Sequence, residues 1–99
     1  MSHYVIAECH AAKGKLADLT AALGGALVET RAYDGCLGLQ SWLDAERDTI
    51  MLTEQWTSHD HYDRYLAWRR ETGVFDVLAP MLEGGVNGFV PRKCVAAGV

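Results

Sequence analysis

Apolar residues recur along this chain with two different periods. They alternate with polar residues over 3–10 and 49–56, which predicts strands with one buried face. Between these stretches, leucines recur at spacings of three and four, the stripe of a helix that packs on one side. The pair Gly24-Gly25 falls inside this helix and costs about 1 kcal/mol per glycine relative to alanine. The leucines are Leu16, Leu19, Leu23 and Leu27.

A hairpin and a second helix are predicted in the middle of the chain. Residues 36–43 and 49–56 are strands joined by a charged tip at 44–48, which is typical of a hairpin. Thr57 or Ser58 can then cap a helix by accepting a hydrogen bond from one of its free N–H groups.

Glycine and proline interrupt the last part of the chain. Gly73 ends the second helix, and the shorter apolar helix expected over 74–82 contains Pro80, so it should be kinked or fragmentary. Residues 86–95 are predicted as a last strand. Pro91 has no backbone N–H to donate, which places this strand end at a sheet edge or beyond the sheet.

The predicted order is strand, helix, strand, strand, helix, strand. This is the ferredoxin-like split βαβ arrangement, an α+β fold whose antiparallel sheet carries both helices on one face. No repeat or linker divides the chain, so residues 3–96 are expected to form one domain. The other sheet face, which contains Met51, Thr53 and Gln55, is left uncovered.

Composition favours association through that uncovered face. Hydrophobic residues make up 49% of the 99 residues, and so short a chain buries only about 60–70% of its unfolded surface. A partner usually covers surplus apolar surface. We therefore expect a homodimer.

Charge and cysteine content exclude several classes of function. The net charge is −4 and the pI is near 5.4, with scattered basic residues, so no nucleic-acid partner is expected. No apolar run reaches the ~20 residues of a membrane span, and the N-terminus does not resemble a secretory signal. Three cysteines without metal-site spacing favour a soluble, cytoplasmic, thiol-reduced protein with no membrane partner.

The candidate site lies where the third strand runs into the second helix. Alternation places Glu54 and Trp56 on the helix-covered strand face, and helical spacing aligns two tyrosines with an arginine. Between them we expect a pocket with apolar walls and a few polar groups. The predicted catalytic residues are Trp56, Tyr62, Tyr65 and Arg69. The predicted substrate-binding residues are Leu52, Glu54, Leu66 and Phe75.

Each of these residues also has a structural interpretation. Tryptophan at a strand end and tyrosines on a helix are more often core than catalyst. Glu54 is either a base with a pKa raised by burial or, more commonly, a carboxylate paired with Arg69 or Arg31. His59 and His61 lie two apart on a helix and point to different faces, which argues against a metal site.

Four short motifs together resemble the antibiotic biosynthesis monooxygenase family, roughly over residues 4–89. The resemblance implies a dimeric α+β barrel built from two packed sheets. It also implies that an electron-rich aromatic or quinol substrate is oxidised by molecular oxygen, often without metal, flavin or haem. The motifs are Val5-Ile6-Ala7-Glu8, Tyr33-Asp34-Gly35-Cys36, Thr53-Glu54-Gln55-Trp56-Thr57-Ser58 and the aromatic helix His61 to Arg69.

The chain also departs from patterns within that family. Trp56 and Tyr62 fall where some quinone-forming members use a Trp and a Tyr, but the Asn four residues before the Trp is Leu52 here. The haem-degrading branch uses an Asn on the first strand and a His ten residues after the Trp, and this chain has Leu66 at the latter place. We therefore expect no cofactor. Other relatives are isomerases or have no demonstrated activity.

Two functions from different classes remain. One is a small cofactor-independent monooxygenase that acts on a phenolic, quinol or polyketide-type aromatic metabolite. The other is a non-catalytic dimeric domain that binds an aromatic ligand. Both require the same pocket, so the sequence does not separate them.

Overall fold

A four-stranded antiparallel sheet is covered on one face by helices in the computed structural model, which describes residues 3–99. The strands are β1 (His3–His10), β2 (Cys36–Asp44), β3 (Thr49–Trp56) and β4 (Phe89–Val95). The helices are α1 (Leu16–Ala32), α2 (His59–Thr72) and the short α3 (Val74–Leu78).

The strand order β2-β3-β1-β4 confirms the ferredoxin-like arrangement. β1 lies at the centre and pairs antiparallel with both β3 and β4. Ala7 stands opposite Leu52 on one side and Pro91 on the other, so their side chains share the helix-covered face. β4 is an edge strand, as the proline in it requires.

Both long helices form where the sequence predicted them. The α1 leucine stripe faces the sheet, while Gly24 and Gly25 lie on its exposed side. Ser58 caps α2, since its hydroxyl accepts a hydrogen bond from the His61 backbone N–H at 3.2 Å. Gly73 ends α2 with a φ of 87°, a left-handed conformation that favours glycine.

Two elements near the C-terminus are shorter than predicted. The regular helix after Gly73 stops at Leu78 and continues as a 3₁₀ turn through Pro80, which confirms a fragmentary helix. The strand expected from residue 86 begins at Phe89, and this boundary was wrong. Phe89 pairs with Cys9 near the end of β1, and residues before it form a 3₁₀ turn over Gly85–Gly88.

The core has two parts of different composition. The aliphatic half is the buried cluster Ala7, Cys9, Ala11, Leu19, Leu23, Leu27, Leu39, Ile50, Leu52, Leu78 and Leu82. The aromatic half is the buried cluster Val5, Trp56, Tyr62, Tyr65 and Leu66. β3 contributes to both, because its core face runs from Ile50 at one end to Trp56 at the other.

The opposite sheet face is uncovered by the chain itself. Trp42 and Ile6 are 54% and 37% exposed there, beside half-buried Met51. The Trp42 indole N–H donates to the Thr53 hydroxyl at 3.0 Å across this face. Among residues 3–99, no helix is both long and apolar enough to cross a membrane.

Candidate functional site

A small internal cavity lies between α1, α2 and the sheet. Its volume is about 40 Å³, room for a water molecule or two but not for an aromatic ring system. Seven of the eight predicted site residues line it: Leu52, Glu54, Tyr62, Tyr65, Leu66, Arg69 and Phe75. The structure adds others that the sequence did not indicate, among them Cys9, Thr30 and Phe89.

Trp56 is the predicted residue that does not line this cavity. It is 1% exposed, and its ring centroid lies 5.4 Å from that of Tyr62 and 5.2 Å from that of Tyr65. The Trp56 and Tyr62 rings meet edge to face, which leaves no gap for a third ring between them. In this packing an aromatic substrate has no room to stack against Trp56.

Glu54 is a buried carboxyl group with an unexpected partner. It is 4% exposed, and the Trp56 indole N–H donates to its Oε1 at 2.9 Å. Burial raises the pKa of Glu54 to about 7, although the hydrogen bond from Trp56 acts in the opposite direction. The predicted pairing with Arg69 or Arg31 is wrong. Arg31 instead donates to the Leu39 carbonyl at 3.4 Å.

The Arg69 guanidinium is held by groups on α1 and α2. Its N–H groups donate to the Tyr65 hydroxyl at 2.9 Å, the Thr30 hydroxyl at 3.1 Å and the Glu29 carboxylate at 3.0 Å. A further bond goes to the Ala26 carbonyl. These contacts tie the two helices together, so the described packing occupies most of the donors that an oxyanion would need.

The two tyrosines on α2 have different surroundings. The Tyr65 hydroxyl lies 2.6 Å from that of Thr30 and also accepts from Arg69. The Tyr62 hydroxyl is buried without a hydrogen-bond partner among residues 3–99. Burial, and after it the charge of Glu54, raises the pKa of Tyr62 well above its usual value. Tyr62 is therefore a neutral donor with an unused O–H group beside the cavity.

Cys9 and two histidines of α2 are the other potentially reactive side chains in this part of the molecule. Burial raises the pKa of the Cys9 thiol to about 12, so it stays protonated and is a poor nucleophile. His59 Nε2 lies 3.2 Å from two backbone carbonyl oxygens, whereas His61 Nδ1 lies 2.7 Å from the Ser58 hydroxyl. Residues 3–99 hold no group of three or more His, Cys, Asp or Glu side chains arranged for a metal.

His61 also fixes the turn that leads into β2. A side chain on Gly35 would place its Cβ 2.5 Å from the His61 ring, and the φ of Gly35 is 91°. Only glycine fits both constraints. The turn preceding β2 is thereby held against the start of α2.

A second, open space adjoins the cavity. This outer groove has a volume of about 360 Å³ and lies along the edge strand. Phe75 and Phe89 line both spaces, and their ring centroids are 5.1 Å apart. No sequence pattern indicates this groove, because its residues come from separate elements. They are Arg70, Phe75, Val86, Phe89 and Pro91.

Fold and cavity together define a ferredoxin-like α+β domain with a small polar-ended site between sheet and helices. Solved structures share this fold. A conserved protein from Methanosarcina mazei Go1 is 15% identical with a TM-score of 0.78, covering 95% of this chain and 91% of that chain. Rv0793 from Mycobacterium tuberculosis is 21% identical with a TM-score of 0.70, covering 100% and 98%.

One similar structure is described as a cofactor-independent oxygenase. This is SnoaB from Streptomyces nogalater, 14% identical with a TM-score of 0.75, covering 99% of this chain and 94% of that chain. No curated protein sequence matches this chain significantly. The family model for antibiotic biosynthesis monooxygenase matches residues 2–70. The chain belongs to the antibiotic biosynthesis monooxygenase family.

Proposed function

We propose that this protein is a cofactor-independent monooxygenase that oxidises a phenolic, quinol or polyketide-type aromatic metabolite with O₂. The observation that carries this proposal is that Glu54 on β3 and Tyr62 on α2 both line the internal cavity. One is a carboxyl group with a pKa of about 7, and the other is a neutral phenol with an unused O–H group. A base and an oxyanion donor are the groups that deprotonation of a phenol requires.

The chemistry assigns a role to each group. The Glu54 carboxylate takes the proton of the substrate hydroxyl, and the Trp56 N–H holds that carboxylate in place. Tyr62 donates a hydrogen bond to the oxyanion that forms. The electron-rich anion then reduces O₂. For a ring CH₂ group, one oxygen atom enters the product as a ketone and the other leaves as water, which balances the reaction without a cofactor.

Oxygen uptake with a panel of hydroquinones and anthrones tests this proposal. Glu54→Gln should lower the turnover of the best substrate by about 10²–10⁴-fold, as expected for loss of a general base. Glu46→Gln, which changes an exposed carboxylate on the β2–β3 connection, is the matched control and should leave turnover unchanged. Full activity in Glu54→Gln would refute the assignment.

The packing of Arg69 favours one alternative, a non-catalytic domain that binds an aromatic ligand. Four hydrogen bonds within the protein already hold this guanidinium, so it is not free to stabilise an oxyanion. This alternative predicts that aromatic ligands bind while no member of the panel consumes oxygen. Under the monooxygenase proposal, at least one substrate is turned over and Glu54→Gln abolishes that turnover.

We also propose a homodimer formed through the uncovered sheet face. Support comes from the exposed Trp42 and Ile6 beside half-buried Met51. Light scattering at micromolar concentration should give the mass of two chains, and Met51→Glu should shift it toward one chain. A monomeric native protein would contradict the proposal.

A further inference from the structure

The outer groove lies on the helix side of the sheet, away from the face proposed for the dimer. Phe89 and Pro91 stand opposite Cys9 and Ala7 on β1, and both of these are buried under the helices. Residues directly opposite in an antiparallel pair project to the same face. A molecule in the groove therefore approaches the internal cavity from the edge of the sheet.

Phe75 and Phe89 form the boundary between groove and cavity. Both are half-buried, line both spaces and contact each other. Phe75 belongs to the five-residue α3, and Phe89 is the first residue of β4. If these two rings part, the volumes of about 40 and 360 Å³ join into a space typical of a ligand site.

Arg70 gives this space a positive outer end. The other five arginines each donate at least one hydrogen bond. Within residues 3–99, Arg70 donates none and forms no salt bridge. It lines the groove, and its charge reaches the Tyr62 phenol, whose pKa it lowers slightly against the stronger effect of burial. Arg70 and Tyr62 lie eight positions apart on α2, which is about 12 Å along the helix axis.

The inner end of this space also has a polar group without a partner. The Tyr62 hydroxyl belongs to a side chain that is 1% exposed, and it has no hydrogen-bond partner among the described residues. Buried hydroxyl groups are normally hydrogen-bonded. The groove and the cavity, which Phe75 and Phe89 separate, thus have at their far ends a guanidinium and a phenol without partners among the described residues.

We propose that the outer groove is the entry and binding site for a planar aromatic molecule with an anionic substituent. That substituent pairs with Arg70, while Phe75 and Phe89 separate to admit the opposite, hydroxyl-bearing end toward Tyr62. The assignment of the inner end rests on the proposed function. The groove and its preference for an anion do not.

Calorimetric binding of anthraquinone-2-carboxylate and its neutral carboxamide tests the groove. These quinones are already oxidised, so binding is measured without turnover. The native protein should bind the carboxylate about tenfold more tightly than the carboxamide. Arg70→Gln should remove this preference and leave the carboxamide affinity unchanged.

Arg64→Gln is the matched control, an exposed arginine on α2 that does not line the groove. It should retain the native preference. Failure of the native protein to bind either probe, or equal behaviour of the two arginine variants, would overturn the proposal. Thermal melting of each variant establishes that the fold is intact.

The aromatic boundary is tested by association rates. Phe75→Ala should speed association of the carboxylate about tenfold in stopped-flow fluorescence, because no half-buried ring has to be displaced. Phe75→Leu should act in the same direction by less. Val77→Ala, at a position on α3 that is 61% exposed, is the control and should have no effect. An unchanged rate in both Phe75 variants would overturn the role of this boundary.

Activity separates this proposal from the proposed function. If the Arg70 preference holds but oxygen uptake is absent, the groove stands and the monooxygenase proposal fails. If Glu54→Gln abolishes turnover while Arg70→Gln leaves KM for an anionic substrate unchanged, the monooxygenase proposal stands and the groove assignment fails.

Discussion

The two halves of the core differ in how completely their buried groups are satisfied. The aliphatic half is built mainly from leucines of α1 and the facing side chains of the sheet, none of which needs a polar partner. The aromatic half packs rings around polar groups. Glu54 has one hydrogen bond from Trp56, and the Tyr62 hydroxyl has none among residues 3–99.

This difference indicates that the two halves of the core contribute differently to the stability of the fold. A buried polar group without a partner costs about 1–3 kcal/mol, and a buried carboxyl group resists ionisation. A sequence selected for stability alone would not place both in one cavity. The aliphatic half therefore supplies more of the stability, and the aromatic half contains the destabilising groups that the proposed function would use.

The largest effect is expected in the aliphatic half. Leu19 is fully buried, and Leu19→Ala should lower the free energy of unfolding by about 2–5 kcal/mol through lost burial and a new cavity. Val28→Ala, on the exposed side of α1, should change it by less than about 0.5 kcal/mol. Urea denaturation measures both. Loss of turnover per folded Leu19→Ala molecule would contradict the division between the halves.

Glu54 should make stability depend on pH. Below its ordinary pKa of 4.5 the carboxyl is protonated in both states, whereas above that pH the unfolded chain ionises first. Stability is therefore lost as pH rises to about 7, by about 3 kcal/mol at most. The side chains that share its cavity and face it include the Cys9 thiol, the Tyr62 and Tyr65 phenols and the Arg69 guanidinium.

Glu54→Gln should abolish this loss. The free energy of unfolding of the variant should therefore rise relative to that of the native protein between pH 4.5 and pH 8 in urea titrations. Glu46→Gln serves as the control and should follow the native curve. Parallel curves for native protein and Glu54→Gln would show that burial does not shift this carboxyl group.

Trp56 should lower the pKa of Glu54. The indole N–H favours the charged form of Glu54, so Trp56→Phe should raise the pKa of Glu54 by about one unit, or about 1.4 kcal/mol. The carboxyl carbon shift in an NMR titration reports this directly. Trp42→Phe removes a comparable N–H bond on the other sheet face and should leave the titration unchanged. A fall in the pKa of Glu54 in the Trp56→Phe variant would contradict the role assigned to the indole N–H.

The two tyrosines should respond to loss of the hydroxyl with opposite signs. Tyr65→Phe breaks bonds to Thr30 and Arg69 and should destabilise the fold by about 1 kcal/mol. Tyr62→Phe removes an unpaired hydroxyl and should stabilise by up to about 1 kcal/mol. If Tyr62 acts in the transition state, the same change lowers kcat about ten- to a hundredfold.

Thermal denaturation and oxygen uptake on the same preparations measure this contrast. Equal destabilisation by the two substitutions would mean that Tyr62 has a structural partner. Stabilisation without a loss of kcat would remove Tyr62 from the reaction.

Much of the fold was predictable because it depends on local periodicity. Alternation in β3 assigned Glu54 and Trp56 to the buried face, and the leucine stripe and the Ser58 cap located the helices. The β4 boundary failed because Val86 is apolar enough for a strand, yet pairing with β1 starts only at Phe89. A strand begins where its partner does, which no local pattern reveals.

The sequence by itself brought seven of the eight predicted site residues to the internal cavity, since strand and helix periods place them on the faces that meet there, but it did not indicate Cys9, Thr30 or Phe89. Only the tertiary structure decided what each does there. Charge suggested that Arg69 would pair with Glu54, but α1 presents Glu29 and Thr30 to that guanidinium, and Glu54 is left to Trp56. Such partners depend on how helices cross the sheet, because hydrogen bonds act over about 3 Å and side-chain spacing along one element does not fix distances between elements.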